Sequence, residues 1–156
     1  SSAASDVYKR QLLEAAMNFE NSKMYPGLPE YFDNEGRGLY AYLTGAASWY
    51  MLTMITEVFG VKGDLGDLVI APSLLPEQFD EKGSAGLKLE FARKKFEIIM
   101  HNPEKKDLRI EQIRRAVCDE KVVLEPEPEY GVRLSKSVIE TLDQKKCHRI
   151  DVFFQE

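Results

Sequence analysis

The sequence has few residues of the kinds that bind structural metals or form disulfides. Its two cysteines, Cys118 and Cys147, do not have CxxC spacing, and its two histidines, His101 and His148, lie far apart in the chain. A structural zinc site is therefore not expected, and no other metal site is predicted. Reduced thiols are typical of a cytoplasmic protein, and we expect that location.

Long apolar runs and basic blocks are also lacking. No apolar run reaches the length of a membrane span, and the N-terminus has no signal-peptide h-region. The net charge is −5, from 21 basic and 26 acidic residues. Nucleic acid and anionic membranes are therefore not expected as partners. The length of 156 residues fits one domain, or one domain with part of another.

The most apolar stretch that is present predicts a helix from about Gly45 to Phe59. Its apolar residues lie on every side of the helix, which is typical of burial inside a larger protein. Thr44 suits the N-cap, and Gly60 suits the residue just past the C-terminus.

The start of this helix is a candidate anion site. Residues 45–47 are small, so a ligand could approach the free N–H groups of the first turn. A helix N-terminus with the hydroxyl of Thr44 beside it can bind a phosphate oxygen at Thr44 and Gly45. The alternative is that Thr44 is a plain N-cap.

The segment between Asn21 and Leu43 reads as a long structured loop, with two prolines and three glycines. Loops of this length usually contribute residues to a binding or catalytic site. Glu30 could bind sugar hydroxyls, or it could bond N–H groups of the loop. Arg37, between two glycines, could face a phosphate or a carboxylate, although a surface salt bridge is the favoured interpretation.

Four segments together resemble the C-terminal end of glycoside hydrolase family 94, which includes cellobiose phosphorylase. They are Tyr-Pro-Gly-Leu-Pro-Glu-Tyr-Phe at 25–32 followed by Gly-Arg-Gly at 36–38, Leu-Thr-Gly-Ala-Ala-Ser-Trp at 43–49, and Gly-Asp-Leu-Val-Ile-Ala-Pro at 66–72. The resemblance covers the chain from about residue 12 to its end.

The resemblance implies an α+β fold. Residues 12–63 would be the terminal helices of an (α/α)6 catalytic barrel, and residues 64–156 a small antiparallel β-sandwich domain. Residues 1–11 fall outside the resemblance, and we interpret them as a non-native N-terminal extension. An ordinary polar N-terminus is the alternative.

The implied activity is inverting phosphorolysis of a β-linked glucosyl di- or oligosaccharide, which gives α-glucose 1-phosphate. Inorganic phosphate would be the co-substrate, no cofactor is needed, and a homodimer is left open. The family's general acid is an aspartate of an earlier part of the barrel, so no catalytic residue is predicted here and the chain alone should be inactive. Thr44 and Gly45 match the family's phosphate corner. Ala46 departs from it, because many members have serine or threonine there.

The apolar pattern changes to a two-residue period after Gly63, which predicts strands. Residues 87–91 and 96–101 should form a hairpin across the basic turn 93–95. His101, in this hairpin, and His148, in the closing strand, should both be half-buried. Further predictions are strands at 108–117 and 122–124, an acidic loop at 125–129, a helical turn at 137–142 and a closing strand at 148–154.

Two other functions compete with the phosphorylase. One is a non-catalytic carbohydrate-binding or scaffold module built on the sandwich, which the lack of an exposed aromatic row on the strands disfavours. The other is a glycoside hydrolase on a similar barrel. A requirement for phosphate would distinguish the phosphorylase from this hydrolase.

Overall fold

The computed structural model describes residues 18–23, 29, 31–40, 45–108, 113–127 and 131–154. Of the predicted site residues, Glu30 and Thr44 lie outside these ranges, as does the extension predicted at 1–11. The chain divides into two compact units, Ser1–Leu52 and Thr53–Glu156.

The first unit contains short elements. Helix α1 (Phe19–Ser22) is followed by strands β1 (Tyr31–Phe32) and β2 (Gly38–Leu39), which pair antiparallel, and by helix α2 (Gly45–Thr53). The turn between the strands is fixed by Asp33, whose Oδ1 accepts the N–H groups of Glu35 and Arg37 at 2.9 Å each. The predicted loop therefore contains a small hairpin.

The second unit begins with a π-helical turn, Met54–Val58, in which the N–H of Phe59 donates to the carbonyl of Met54 at 2.9 Å. Gly60 follows with a φ of 65°. A left-handed residue directly after a helix is the usual place for glycine, because the conformation disfavours a Cβ. The predicted helical span from Gly45 to Phe59, ended by Gly60, is confirmed.

The predicted terminal helices of an (α/α)6 barrel are wrong. Strands dominate the structure, and among the described residues of the first unit no helix exceeds the nine residues of α2. The side chains of Trp49, Tyr50, Met51 and Leu52 are exposed rather than buried. An all-round apolar pattern predicts a helix correctly, but it does not supply the neighbouring helices that a barrel needs.

The described strands of the second unit form two sheets. One has the order β3-β4-β10-β9 and the other the order β5-β6-β11-β7-β8. The strands are β3 (Val61–Asp64), β4 (Asp67–Ile70), β5 (Ser84–Phe91), β6 (Lys94–His101), β7 (Arg115–Cys118), β8 (Val122–Leu124), β9 (Pro126–Glu127), β10 (Gly131–Leu134) and β11 (Cys147–Phe153).

Alternating side chains from both sheets fill one apolar core. In the predicted hairpin of β5 and β6, Phe96, Ile98 and Met100 are buried, while the residues between them are more exposed. The closing strand places Ile150 and Val152 in the same core. The two-residue period therefore predicted the buried faces of β6 and β11 correctly. The strand predicted at 108–117 is displaced, because β7 begins only at Arg115 and its residues 116–118 are all buried.

The second sheet is not purely antiparallel, so this part of the predicted fold is also wrong. Strand β11 lies between β6 and β7, parallel to β6 and antiparallel to β7. Alternation shows which side of a strand is buried, but it does not show which strand lies beside it. The predicted acidic loop at 125–129 also includes a strand, since β9 pairs with β10.

Helix α3 (Lys136–Thr141) lies within one residue of the predicted helical turn. It buries Ile139 in the core and is followed by Leu142, whose N–H donates to the carbonyl of Ile139. No helix in the described part of the chain has the length and apolar character needed to cross a membrane.

Candidate functional site

The start of α2 is the part of the predicted phosphate site that the structure describes. Gly45 is the first helical residue and is exposed, and the first turn contains no acidic side chain. The first N–H groups of a helix have no partner within the helix, and they carry its partial positive charge. No side chain in this turn repels an anion by charge.

The only tryptophan of the sequence lies one turn from this helix start. Trp49 is 69% exposed and follows Gly45 by four residues, which places both on the same side of the helix. An indole in this position can report on events at Gly45, whether or not it contacts a ligand.

Arg37 is exposed on the hairpin of the first unit. Its backbone N–H and carbonyl bind Asp33, but no hydrogen bond or ion pair links its guanidinium to another described residue. The favoured surface salt bridge is therefore not present within the described part of the chain.

A second polar cluster lies on the outer face of the five-stranded sheet. The Nε2 of His101 is 2.7 Å from the Oδ1 of Asp151, and Arg149 donates to both oxygens of Asp151 at 2.8 Å each. Burial opposes ionisation of Asp151, but the hydrogen bonds from Arg149 and His101 outweigh it and lower the pKa of that carboxyl. The ring of His101 stacks on Phe153 with centroids 4.7 Å apart.

The other histidine is a buried structural link. His148 faces the core, with Nδ1 2.7 Å from the Oδ2 of Asp119 and Nε2 2.9 Å from the carbonyl of Asp143. A carbonyl can only accept, so Nε2 carries a hydrogen. The Oδ1 of Asp119 accepts the N–H of Arg149 at 2.9 Å. His148 and Asp119 thus connect β11 to the turn between β7 and β8 and to the loop that contains Asp143.

Both histidines lie on strands, as predicted. His101 is half-buried as predicted, whereas His148 is fully buried. The aspartate partners were missed, because Asp119 lies 29 residues before His148 and Asp151 lies 50 residues after His101. The pairing of β6, β7 and β11 brings them together, and local sequence carries no signal of it.

The two free cysteines differ in burial. Cys118 is buried, and burial, assisted by the charge of Asp119, raises the pKa of its thiol to about 11. Cys147 is exposed. In the described residues, no group of three or more histidine, cysteine and acidic side chains could bind a metal ion.

Arg133 organises the acidic end of the four-stranded sheet. Its Nη1 donates to Asp64 at 2.9 Å and to Asp67 at 3.0 Å, and its Nε lies 3.8 Å from a carboxylate oxygen of Glu127. The backbone N–H of Lys136 and then Arg133 lower the pKa of Asp67. Each acid near this arginine is thus paired, and the cluster joins strands rather than forming an open site.

Replacement of Asp119 by asparagine is expected to destabilise the second unit at neutral pH and to reduce its sensitivity to acid. Burial opposes ionisation of Asp119, but the contacts with His148 and Arg149 outweigh it, so its folded-state pKa is below the ordinary value of 3.8. A lowered carboxyl pKa stabilises the fold above about pH 4, and this stability is lost as the pH falls further. We expect Asp119→Asn to cost about 1 to 3 kcal/mol at neutral pH.

Urea unfolding at about pH 7 and about pH 3 measures this effect. The wild type should lose more stability between the two pH values than Asp119→Asn does. Asp107→Asn, at an exposed aspartate, is the control and should follow the wild type. Equal losses in all three proteins would show that the carboxylate of Asp119 does not contribute.

Comparison with known proteins adds no relative that could assign this site. No family model matches the chain, and no curated protein matches it either. The likeness to glycoside hydrolase family 94 thus depends on the four sequence segments alone.

Proposed function

We propose that the chain is the C-terminal part of a cytoplasmic inverting glycoside phosphorylase. Its substrates would be a β-linked glucosyl di- or oligosaccharide and inorganic phosphate, and a product would be α-glucose 1-phosphate. The observation that supports this best is the threonine-glycine motif at the start of α2, where Gly45 is exposed and the first turn has no acidic residue.

Phosphorolysis needs a general acid and donors that bind the phosphate, and this chain would supply the phosphate-binding donors. A carboxylic acid must protonate the leaving oxygen, while phosphate takes the place that water has in an inverting hydrolase. The hydroxyl of Thr44 and the N–H of Gly45 would hold one phosphate oxygen. Donors fixed in advance at a charged group stabilise it without reorganising during the reaction. The acid would come from another part of the whole protein.

Glu30 and Arg37 would have accessory roles in the loop before α2. The carboxylate of Glu30 would accept hydrogen bonds from sugar hydroxyls. The guanidinium of Arg37, exposed and without a described partner, would attract phosphate.

Product analysis of the whole protein tests the proposal. Cellobiose, laminaribiose and sophorose are each supplied with and without inorganic phosphate, and glucose 1-phosphate and free glucose are measured. We expect glucose 1-phosphate only when phosphate is present, and none from the chain alone, which lacks the acid. Phosphate-independent release of glucose would support a hydrolase instead.

One alternative is a non-catalytic module. The second unit has a core of its own, drawn from both sheets, as expected of an independent domain. Titration of the chain with cello-oligosaccharides tests for carbohydrate binding. Saturable binding together with a lack of phosphorolysis by the whole protein would favour the module.

A further inference from the structure

The second unit contains a buried lysine at the start of β6. Lys94 is 6% exposed and lies on the core side of the strand, and its ammonium donates a hydrogen bond to the carbonyl of Leu142, at the end of α3. Lysine is almost never buried without a partner. The contact with Leu142 explains part of its position, because a cation at a helix C-terminus is favourable.

Among the described residues, the charge of Lys94 nevertheless has no counter-ion. An ammonium has three N–H donors, and the carbonyl of Leu142 is the acceptor found for it among the described residues. Within the same residues, no carboxylate oxygen lies within 4.0 Å of its nitrogen. A buried cation without an anion is costly, so a bound anion here would be strongly favoured.

Lys94 lines a cavity of about 250 Å³ between α3 and the turn that joins β5 to β6. The other lining residues are Gly66, Ala92, Lys136, Ile139, Glu140 and Gln144. The stem of Lys136 crosses Gly66 so closely that a Cβ there would lie 2.9 Å from its Cδ. The glycine therefore lets a second lysine lie along the cavity wall.

We propose that this cavity binds a small monocarboxylate anion, with the ammonium groups of Lys94 and Lys136 as its partners. Two lysines and one glutamate give the wall one net positive charge, which matches a monoanion better than a dianion. Ala92, which is exposed, offers apolar surface to a short alkyl chain. The volume is below the roughly 300 to 1,000 Å³ of sites for drug-sized ligands, so the ligand is small.

The salt bridge between Lys136 and Glu140 does not close the site. Their charged atoms are 3.9 Å apart and both side chains are largely exposed, so the pair contributes little and can separate. Lys136 can then turn towards a carboxylate bound at Lys94. This site lies wholly within the second unit and does not depend on the proposed phosphorylase activity.

Titration of the chain with sodium propionate tests the site, with sodium chloride holding the ionic strength constant. Backbone amide shifts of Gly66 and Ala92 report binding. We expect saturable shifts in the wild type and binding weakened about tenfold or more in Lys94→Met, which loses a charged hydrogen bond. Lys136→Met should weaken binding severalfold, and Glu140→Gln should strengthen it. Lys88→Met, on the outer face of the sheet, is the matched control and should bind as the wild type does.

Each outcome decides the proposal. Shifts in the wild type that do not saturate would show that Lys94 only caps α3, and the proposal would fail. Should Lys94→Met not fold, unchanged affinity in both Lys136→Met and Glu140→Gln would contradict it equally. Tighter binding of inorganic phosphate than of propionate would overturn the assignment to a monocarboxylate.

Discussion

Replacement of Gly60 by alanine is expected to cause one of the largest losses of stability in the second unit. A Cβ at this position would lie 1.8 Å from the carbonyl oxygen of Ala71 and 2.2 Å from its carbon. Both are backbone atoms, and the carbonyl of Gly60 itself accepts the N–H of Ala71 at 2.9 Å. The φ of 65° adds strain for any residue with a Cβ. We expect a loss above about 4 kcal/mol, within the exceptional range for a single substitution.

Gly86→Ala is the matched control for this prediction. Its Cβ would have the carbonyl oxygen of Ile98 as its nearest neighbour, at 3.6 Å, which is an ordinary contact. Urea unfolding should place Gly86→Ala within about 1 kcal/mol of the wild type. Similar free energies of unfolding for the two variants would mean that the approach of Gly60 to Ala71 is not a constraint on the fold.

Replacement of Thr44 by valine in the whole protein is expected to lower the efficiency towards phosphate by roughly ten- to a hundredfold. The change keeps the shape of the side chain and removes one donor. A hydrogen bond to a charged group contributes about 1.5 to 3 kcal/mol, which corresponds to that range. Steady-state kinetics with phosphate as the varied substrate, at a temperature where both proteins are folded, measure the effect.

Thr44→Ser is the control, because it keeps the hydroxyl and should retain most of the efficiency. A plain N-cap gives a different pattern. In that case Thr44→Val would lower the stability by about 1 kcal/mol and leave the turnover and the Michaelis constant for phosphate unchanged. Such a result would remove Thr44 from the site.

For the second unit, the sequence predicted the positions of strands and helix ends better than it predicted which strands pair with each other. Alternation located β5, β6 and β11 and their buried sides, and Gly60 marked the end of the helical segment. These features depend on residues close together in the chain, where periodicity and capping act. The place of β11 beside β6 depends on contacts between distant residues, and no local pattern encodes it.

The barrel was a wrong inference from the resemblance to glycoside hydrolase family 94. The segment from Gly45 to Phe59 is helical, but its apolar character gave no information about what surrounds it. The candidate sites show the same limit. Gly45 could be located as a helix start, whereas the burial of Lys94 arises only where β6 meets the end of α3. A lysine beside two other basic residues reads as a solvated turn.

Binding of phosphate at the start of α2 can be observed most directly through the backbone amide of Gly45 in this chain. Phosphate is titrated against chloride at constant ionic strength, and Trp49 fluorescence gives a second reading one turn away. We expect a saturable shift of the Gly45 amide with an affinity in roughly the millimolar range, since only part of the site is present, and a loss of this shift in Thr44→Val. A shift that grows without saturation, or that is the same in Thr44→Val, would contradict a phosphate site at Thr44 and Gly45.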